Sequence, residues 1–153
     1  MEIAITRASI SDATTILALQ KLAYRSEAEL YNDFNIEPLL QTLEQLEQQF
    51  DDHIILKAVI NDKIVGSVRA IERDGTCYIG KLMVSPECQN HGIGKLLMRQ
   101  IEALQPHSRF ELFTGFKSER NIALYQKLGY QIYCERVISP EFSLIYLEKN
   151  RSS

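Results

Sequence analysis

From Leu82 to Leu97 the chain runs an apolar strand, Leu82-Met83-Val84, through a glycine-bearing turn directly into an amphipathic helix. The turn reads Gln89-Asn90-His91-Gly92-Ile93-Gly94-Lys95, and the helix after Gly92 carries Ile93, Leu96, Leu97, Ile101 and Leu104. This layout builds an anion site. A helix N-terminus leaves backbone N–H groups unpaired and holds the positive end of the macrodipole, and glycines let a phosphate approach the main chain. A pyrophosphate-bearing ligand suits it.

Three phosphate-binding schemes compete for this segment, and spacing separates them. A P-loop requires Gly-x-x-x-x-Gly-Lys-Ser/Thr. Here Gly94-Lys95 is followed by Leu96, and Gln89 stands five before Gly94, so the magnesium-binding hydroxyl and the first glycine are both missing. A dinucleotide fingerprint requires a third small residue for close helix–strand packing, where this chain has Leu97, and the strand does not open a βαβ series. What remains is Gln89-x-x-Gly92-x-Gly94. It resembles the acyl-CoA pyrophosphate motif, Gln/Arg-x-x-Gly-x-Gly/Ala, of the GNAT superfamily of N-acetyltransferases. Alone, Gly92 and Gly94 read more readily as the shape of a tight loop.

A second motif downstream strengthens the resemblance. Asn121-Ile122-Ala123-Leu124-Tyr125-Gln126-Lys127-Leu128-Gly129-Tyr130 is similar to that family's second signature, in the family's order and at an ordinary spacing. The resemblance implies that this helix lies against the CoA arm, that Asn121 contacts the cofactor and that Tyr125 sits beside the thioester sulfur. It also implies acetyl-CoA as co-substrate, with Leu82, Met83 and Val84 of the strand and the turn residues Gln89 to Lys95 holding it. Core packing is the competing reading for Tyr125, because Leu124 and Leu128 form an i, i+4 apolar pair beside it.

A chain of 153 residues buries a substantial core without disulfides and is the size of one domain, so residues 1–153 read as a single unit. No run of eighteen apolar residues occurs, and Met1-Glu2-Ile3-Ala4-Ile5 lacks a signal-peptide pattern, which points to a cytoplasmic protein with no membrane partner. Cys77, Cys88 and Cys134 form no close pair and read as reduced thiols. His53, His91 and His107 have no metal-ligand spacing, and no metal is expected.

The elements read in alternation. Glu2 to Ala8 is a strand; Ser11 or Asp12 caps a helix through Ile16, Leu19 and Ala23. Tyr31 to Glu37 reads as a loop. Pro38 then opens a second helix with Leu39, Leu43, Leu46 and Phe50 on one face. Ile54 to Ile60, Lys63 to Glu72 and Cys77 to Val84 form an antiparallel meander, turned by Asn61-Asp62 and Arg73-Asp74-Gly75-Thr76. After the Leu97 helix come a strand from Phe110 to Thr114, a helix capped by Ser118, and a last hairpin of Tyr130 to Ile138 and Phe142 to Leu147. The order is β-α-α-βββ-α-β-α-ββ. This is the α/β topology that the resemblance implies: a mixed, mainly antiparallel sheet of about seven strands flanked by four helices.

Charge is unevenly spread. Met1 to Ile79 holds seven Lys/Arg and thirteen Asp/Glu, net −6, whereas Gly80 to Lys127 holds seven and four, net +3. Lys81, Lys95, Arg99, Lys117, Arg120 and Lys127 therefore stand near the motifs, where they can screen CoA phosphates. Overall acidity argues against nucleic-acid binding. In the acidic half, Tyr24, Glu27, Glu29, Tyr31, Asp33 and Glu37 cluster where, by the resemblance, the acceptor site is walled. Carboxylates among tyrosines suit an ammonium, which favours the primary amine of a small cationic molecule; a solvated helix end is the competing reading.

The chemistry implied is acetyl transfer from a thioester to nitrogen by direct attack through a tetrahedral intermediate. The acceptor ammonium must first lose a proton, and Glu72, Glu27 and Glu29 are the candidate bases. Some relatives place a Glu near the start of the fourth strand; here that neighbourhood is Thr76-Cys77-Tyr78-Ile79. The oxyanion would meet a backbone N–H at Met83 or Val84, and Tyr125 would protonate the departing thiolate. A non-catalytic acyl-CoA sensor is the alternative. Phe142 to Leu147 offers an edge strand for a homodimer.

Overall fold

The computed structural model describes residues 2–105 and 109–150, which leaves His107 outside the described residues. Seven strands form one sheet in the order β1-β2-β3-β4-β5-β7-β6, from β1 (Ala4–Arg7), β2 (Ile54–Ile60), β3 (Lys63–Arg73), β4 (Thr76–Val84), β5 (Arg109–Gly115), β6 (Gln131–Ser139) and β7 (Phe142–Asn150). Every neighbouring pair is antiparallel except β4 with β5. The two meander turns carry the expected chemistry. Asn61 and Asp62 lie at φ 50° and 63°, and Asp74 and Gly75 at 50° and 83°, the left-handed pairs that match a hairpin to the strand twist.

The four expected helices are present, the first two each in two pieces. α1 (Ala13–Ala23) is followed at Tyr24 by α2 (Arg25–Tyr31), which Asn32 ends in the left-handed region. Glu27 and Glu29 therefore stand within α2, and the helix runs up to Tyr31, where the loop was expected to begin. α3 (Glu37–Leu40) stops at Gln41, and α4 (Leu43–Gln49) restarts on Thr42, whose hydroxyl accepts from the Gln45 N–H while the Gln45 side chain accepts from the Thr42 N–H. α5 (Ile93–Ala103) and α6 (Glu119–Lys127) complete the set. Ser118 stands at the N-cap of α6, but its side chain does not cap the helix.

The sheet divides the core. On one face, Ile93, Leu97, Met98 and Ile101 of α5 meet Leu56, Ala58, Val68, Ala70, Cys77 and Ile79. Gly66 lets α5 come close, since a Cβ there would lie 3.1 Å from both Ile93 Cγ2 and Leu97 Cδ1. On the other face, Ala13 and Ile16 of α1 and Leu46 of α4 cover Ile55. The last hairpin corrects one expectation. Phe142 to Leu147 lies in β7, which is paired on both sides, to β5 and β6, so the edge strand is β6.

Candidate functional site: a wedge between two parallel strands

β4 and β5 are in register only where Thr76, Cys77 and Tyr78 face Arg109, Phe110 and Glu111. Beyond that, β4 stays on β3 as far as Val84 and β5 stays on β7 as far as Gly115. The two strands therefore diverge and open a wedge in the middle of the sheet. Its mouth lies at their C-terminal ends, where α5 and α6 begin.

A bulge shapes the β4 wall. Ser67 pairs with Met83 and Arg69 with Gly80, so β4 spends three steps where β3 spends two, and Lys81 takes φ 52°. Past the bulge the ladder sets the direction of each backbone group. The Ser85 N–H donates to the Val65 carbonyl at 2.7 Å, so by alternation the Val84 N–H faces away from β3 into the wedge, while Met83 is turned into the ladder. The Leu82 carbonyl also faces outward and lies 3.5 Å from the Tyr24 hydroxyl.

At the mouth, Asn90 (φ 69°) and Gly92 (φ 77°) fold the turn, and Gly92 is the N-cap of α5 with no side-chain cap. The N–H groups of Ile93, Gly94 and Lys95 consequently have no intrahelical acceptor. A Cβ on Gly94 would stand 3.6 Å from Leu124 Cδ2 and 3.9 Å from Leu82 Cδ2 and Val84 Cγ2, ordinary contacts. The protein itself tolerates a side chain there, and the glycine leaves a recess between β4, α5 and α6. Gln89, Asn90 and His91 are exposed, and the Arg120 guanidinium donates to Asn90 Oδ1 at 2.8 Å, tying the turn to α6. Lys95, Arg99 and Lys127 make no ion pair among the described residues, so their charge is available to an anion.

α6 presents Asn121, half-buried, in its first turn and Tyr125, buried, one turn later. The Tyr125 ring packs on Tyr130 at 6.1 Å, yet its hydroxyl makes no hydrogen bond among the described residues. Burial pushes this phenol above its ordinary value, and the Glu27 charge adds to that. Burial likewise raises Tyr24, with Tyr125 and Glu27 adding and Arg69 opposing. Tyr24, Glu27 and Tyr125 thus share one neighbourhood, although they come from the junction of α1 and α2, from α2 and from α6. The Ser118 hydroxyl donates to Glu27 Oε2 at 2.6 Å and holds that carboxylate across the wedge mouth.

The remaining expected site residues fall elsewhere. Glu29 and Asp33 are exposed, and Asp33 Oδ1 accepts from the Asn35 N–H. Tyr31 is taken up by packing: its ring meets Phe142 edge-on at 4.9 Å and Phe116 at 5.9 Å, and its hydroxyl accepts from the Lys117 N–H at 2.9 Å. Glu72 faces Cys77 at the closed end of the wedge, where β4 and β5 are still paired, far along the strand from Val84. Lys81 spends its charge on Glu37 at 2.6 Å. Sequence reasoning missed Arg69 and its three glutamine partners. The available signal was a lone cation within the apolar run from Ile64 to Ile71.

Parallel strands that part beside an uncapped helix N-terminus with an open glycine recess have the shape and donors to suit a long ligand ending in phosphates. A family model described as the acetyltransferase (GNAT) family matches residues 18–130. The chain belongs to the GNAT acetyltransferase family. Its fold is also that of the PaiA N-acetyltransferase of Thermoplasma acidophilum in complex with coenzyme A, at TM-score 0.80 and 17% identity, covering 98% of this chain and 99% of that one. YncA of Salmonella typhimurium, a putative acetyltransferase solved with acetyl-CoA, aligns at TM-score 0.78 and 12% identity over 100% and 96% of the chains. The ribosomal-protein-S18-alanine N-acetyltransferase of Escherichia coli aligns at 0.76 and 14% over 99% and 96%. No relative among curated proteins matches the sequence. No helix among the described residues is long and apolar enough to cross a membrane.

Proposed function

We propose that this protein is a cytoplasmic, single-domain N-acetyltransferase that moves an acetyl group from acetyl-CoA to the primary amine of a small molecule entering as an ammonium. The observation that carries the reading is the convergence of Tyr125, Tyr24 and Glu27 at the mouth of a wedge whose β4 wall presents the Val84 N–H. The residues fit the co-substrate. The free N–H groups of Ile93, Gly94 and Lys95 suit its pyrophosphate, the Gly94 recess admits its chain between β4 and α6, and Asn121 lines the same side.

Acetyl-CoA supplies an electrophilic thioester carbonyl. The chain does the rest. The Val84 N–H is directed to stabilise negative charge developing on an oxygen in the wedge. Glu27, held by Ser118, attracts the ammonium and accepts its proton directly or through water, a role for which Glu72 and Glu29 are poorly placed. Tyr125 keeps its proton at neutral pH and has a free hydroxyl, so it can protonate a departing thiolate.

Calorimetric titration with acetyl-CoA, beside ATP and NAD as controls, tests the binding. One molecule of acetyl-CoA per chain, lost when Gly92 and Gly94 are both replaced by bulky residues, is expected. Amine-dependent release of the CoA thiol then separates an enzyme from a sensor, which would bind without release. Folded protein that ignores millimolar acetyl-CoA would sink the proposal.

A further inference from the structure

Arg69 is 2% exposed in the middle of β3, on the α1 face of the sheet, and no carboxylate pairs with it. Its Nη1 donates to Gln41 Oε1 at 3.1 Å and to Gln49 Oε1 at 3.0 Å, and its Nη2 to Gln20 Oε1. These are neutral amides, themselves joined by Gln20 and Gln41 at 2.9 Å. Arg69 Nε is the one buried side-chain nitrogen or oxygen without a hydrogen-bond partner among the described residues. Burial pulls the guanidinium down to about 10, with Tyr24 and Glu37 opposing it. A buried cation held only by dipoles is costly, and an orphaned donor adds to the cost. The nearest carboxylate named among those influences, Glu37, is already paired with Lys81.

The surroundings of Arg69 show where a compensating anion can come from. Arg69 faces Gly80 across the ladder, and residues directly opposite in a sheet present their side chains on the same face. Gly80 has none, and a Cβ built there meets nothing within 4 Å. An open space therefore lies over Gly80, on the face that carries the Arg69 side chain. Gly80 immediately precedes the Lys81 bulge, and Leu82, next along β4, carries the carbonyl that meets Tyr24. The space thus adjoins the group of Tyr24, Glu27 and Tyr125 at which the amine is proposed to react.

We infer that Arg69 is the counter-charge for a carboxylate on the acceptor, which enters over Gly80. The acceptor is then an amino acid or a similar amine with a carboxylate a few bonds from its nitrogen. Its ammonium goes to Glu27 and its carboxylate to Arg69. This rests on the N-acetyltransferase reading and deepens it: the small cationic amine becomes a zwitterion, bound at two charges of opposite sign.

The test pairs amino acids with their carboxamides and decarboxylated amines as acceptors, reading thiol release with acetyl-CoA. For the best pair, kcat/KM is expected to favour the carboxylate by tenfold or more. Arg69→Met removes the buried cation but leaves Gln20 Oε1 without the donor it has here, so a lower melting temperature is expected; folded, the variant should bring the preference to within threefold. Gly80→Val, which fills the space and leaves Arg69 intact, should do the same with acetyl-CoA affinity unchanged. It decides the matter if Arg69→Met does not fold. A wild-type preference for amines without a carboxylate, or a carboxylate preference that survives both variants, overturns the inference. If no amine supports thiol release, the enzyme reading fails separately. Calorimetry with N-acetylglycine against N-acetylglycinamide then judges Arg69: selective binding of the acid that Arg69→Met abolishes upholds the anion site, and equal or absent binding overturns it.

Discussion

The hydroxyl of Tyr31 occupies the space that a Cβ on Gly115 would need, with the ring carbon Cζ 2.6 Å from that position. Tyr31 ends α2 and Gly115 ends β5, so this close approach fixes α2 against the far wall of the wedge. From there the chain passes to Lys117, whose N–H the Tyr31 hydroxyl accepts, and to Ser118, which holds Glu27. Tyr31, a residue expected at the acceptor site, is thus also tied through Lys117 and Ser118 to the Glu27 carboxylate.

Gly115→Ala is therefore expected to destabilise the protein by about 1–3 kcal/mol, because the new methyl overlaps a well-packed ring. Tyr31→Ala has its own cost from lost aromatic packing. The double variant should cost less than the two single costs together by about 1 kcal/mol or more, measured by urea denaturation. Strict additivity would mean that the two residues do not meet.

Two substitutions at Gly94 should separate folding from binding. The methyl group of Gly94→Ala makes only ordinary contacts and replaces glycine in a helix, so stability should hold or rise by about 0.5–1 kcal/mol, and acetyl-CoA affinity should stay within about threefold, as the motif takes Gly or Ala there. Gly94→Leu should lower acetyl-CoA affinity about tenfold or more, roughly 1.4 kcal/mol of binding, as the longer side chain closes the recess against the cofactor. Unchanged affinity of folded Gly94→Leu by calorimetry would place the cofactor elsewhere.

Tyr125→Phe should lower turnover by roughly 10²-fold while acetyl-CoA affinity stays nearly constant, because only a proton donor is removed. The wild-type pH profile carries a second expectation. Burial and the Glu27 charge hold the phenol above its ordinary value near 10, so its acid form persists to at least that pH. Activity should rise as the acceptor amine deprotonates and show no alkaline fall below about pH 10. A falling limb near pH 8 that Tyr125→Phe removes would contradict this assignment.

Asp12 sets an acid limit on stability. Partial burial pushes its carboxyl up, but the Ser9 N–H at 3.0 Å and the Lys57 ammonium at 2.9 Å outweigh that and hold it below the usual carboxylate range. A folded value below the unfolded one, about 3.9, stabilises fully above that pH and is lost as pH falls through the folded value. Asp12→Asn should cost about 0.5–1 kcal/mol at pH 7 and progressively less as pH falls below about 3.9, by thermal melts across pH.

Much of this was legible in the chain because it is local. The turn chemistry of Asn61-Asp62 and Asp74-Gly75, the glycine-bearing entry to α5 and the spacing of Asn121 and Tyr125 each lie within one or two adjacent elements. Pattern and spacing suffice there. The buried setting of Arg69 was not legible, since it depends on partners 49, 28 and 20 positions away, Gln20, Gln41 and Gln49. Nor were the placements of Glu72, Glu27 and Glu29, whose side chains are chemically alike but lie at the closed end of the wedge, beside Ser118 and on the exposed face of α2 respectively.

The sequence by itself determined the order of strands and helices and the backbone conformations at the turns, because hydrophobic period and tolerance of positive φ are properties of short segments. Only the tertiary structure decided that β4 and β5 part after Tyr78, that β7 is interior and β6 the edge, and that Val84 rather than Met83 turns its N–H into the wedge. Those outcomes follow from which strands pair and in what register, and pairing is settled by long-range packing of the whole sheet.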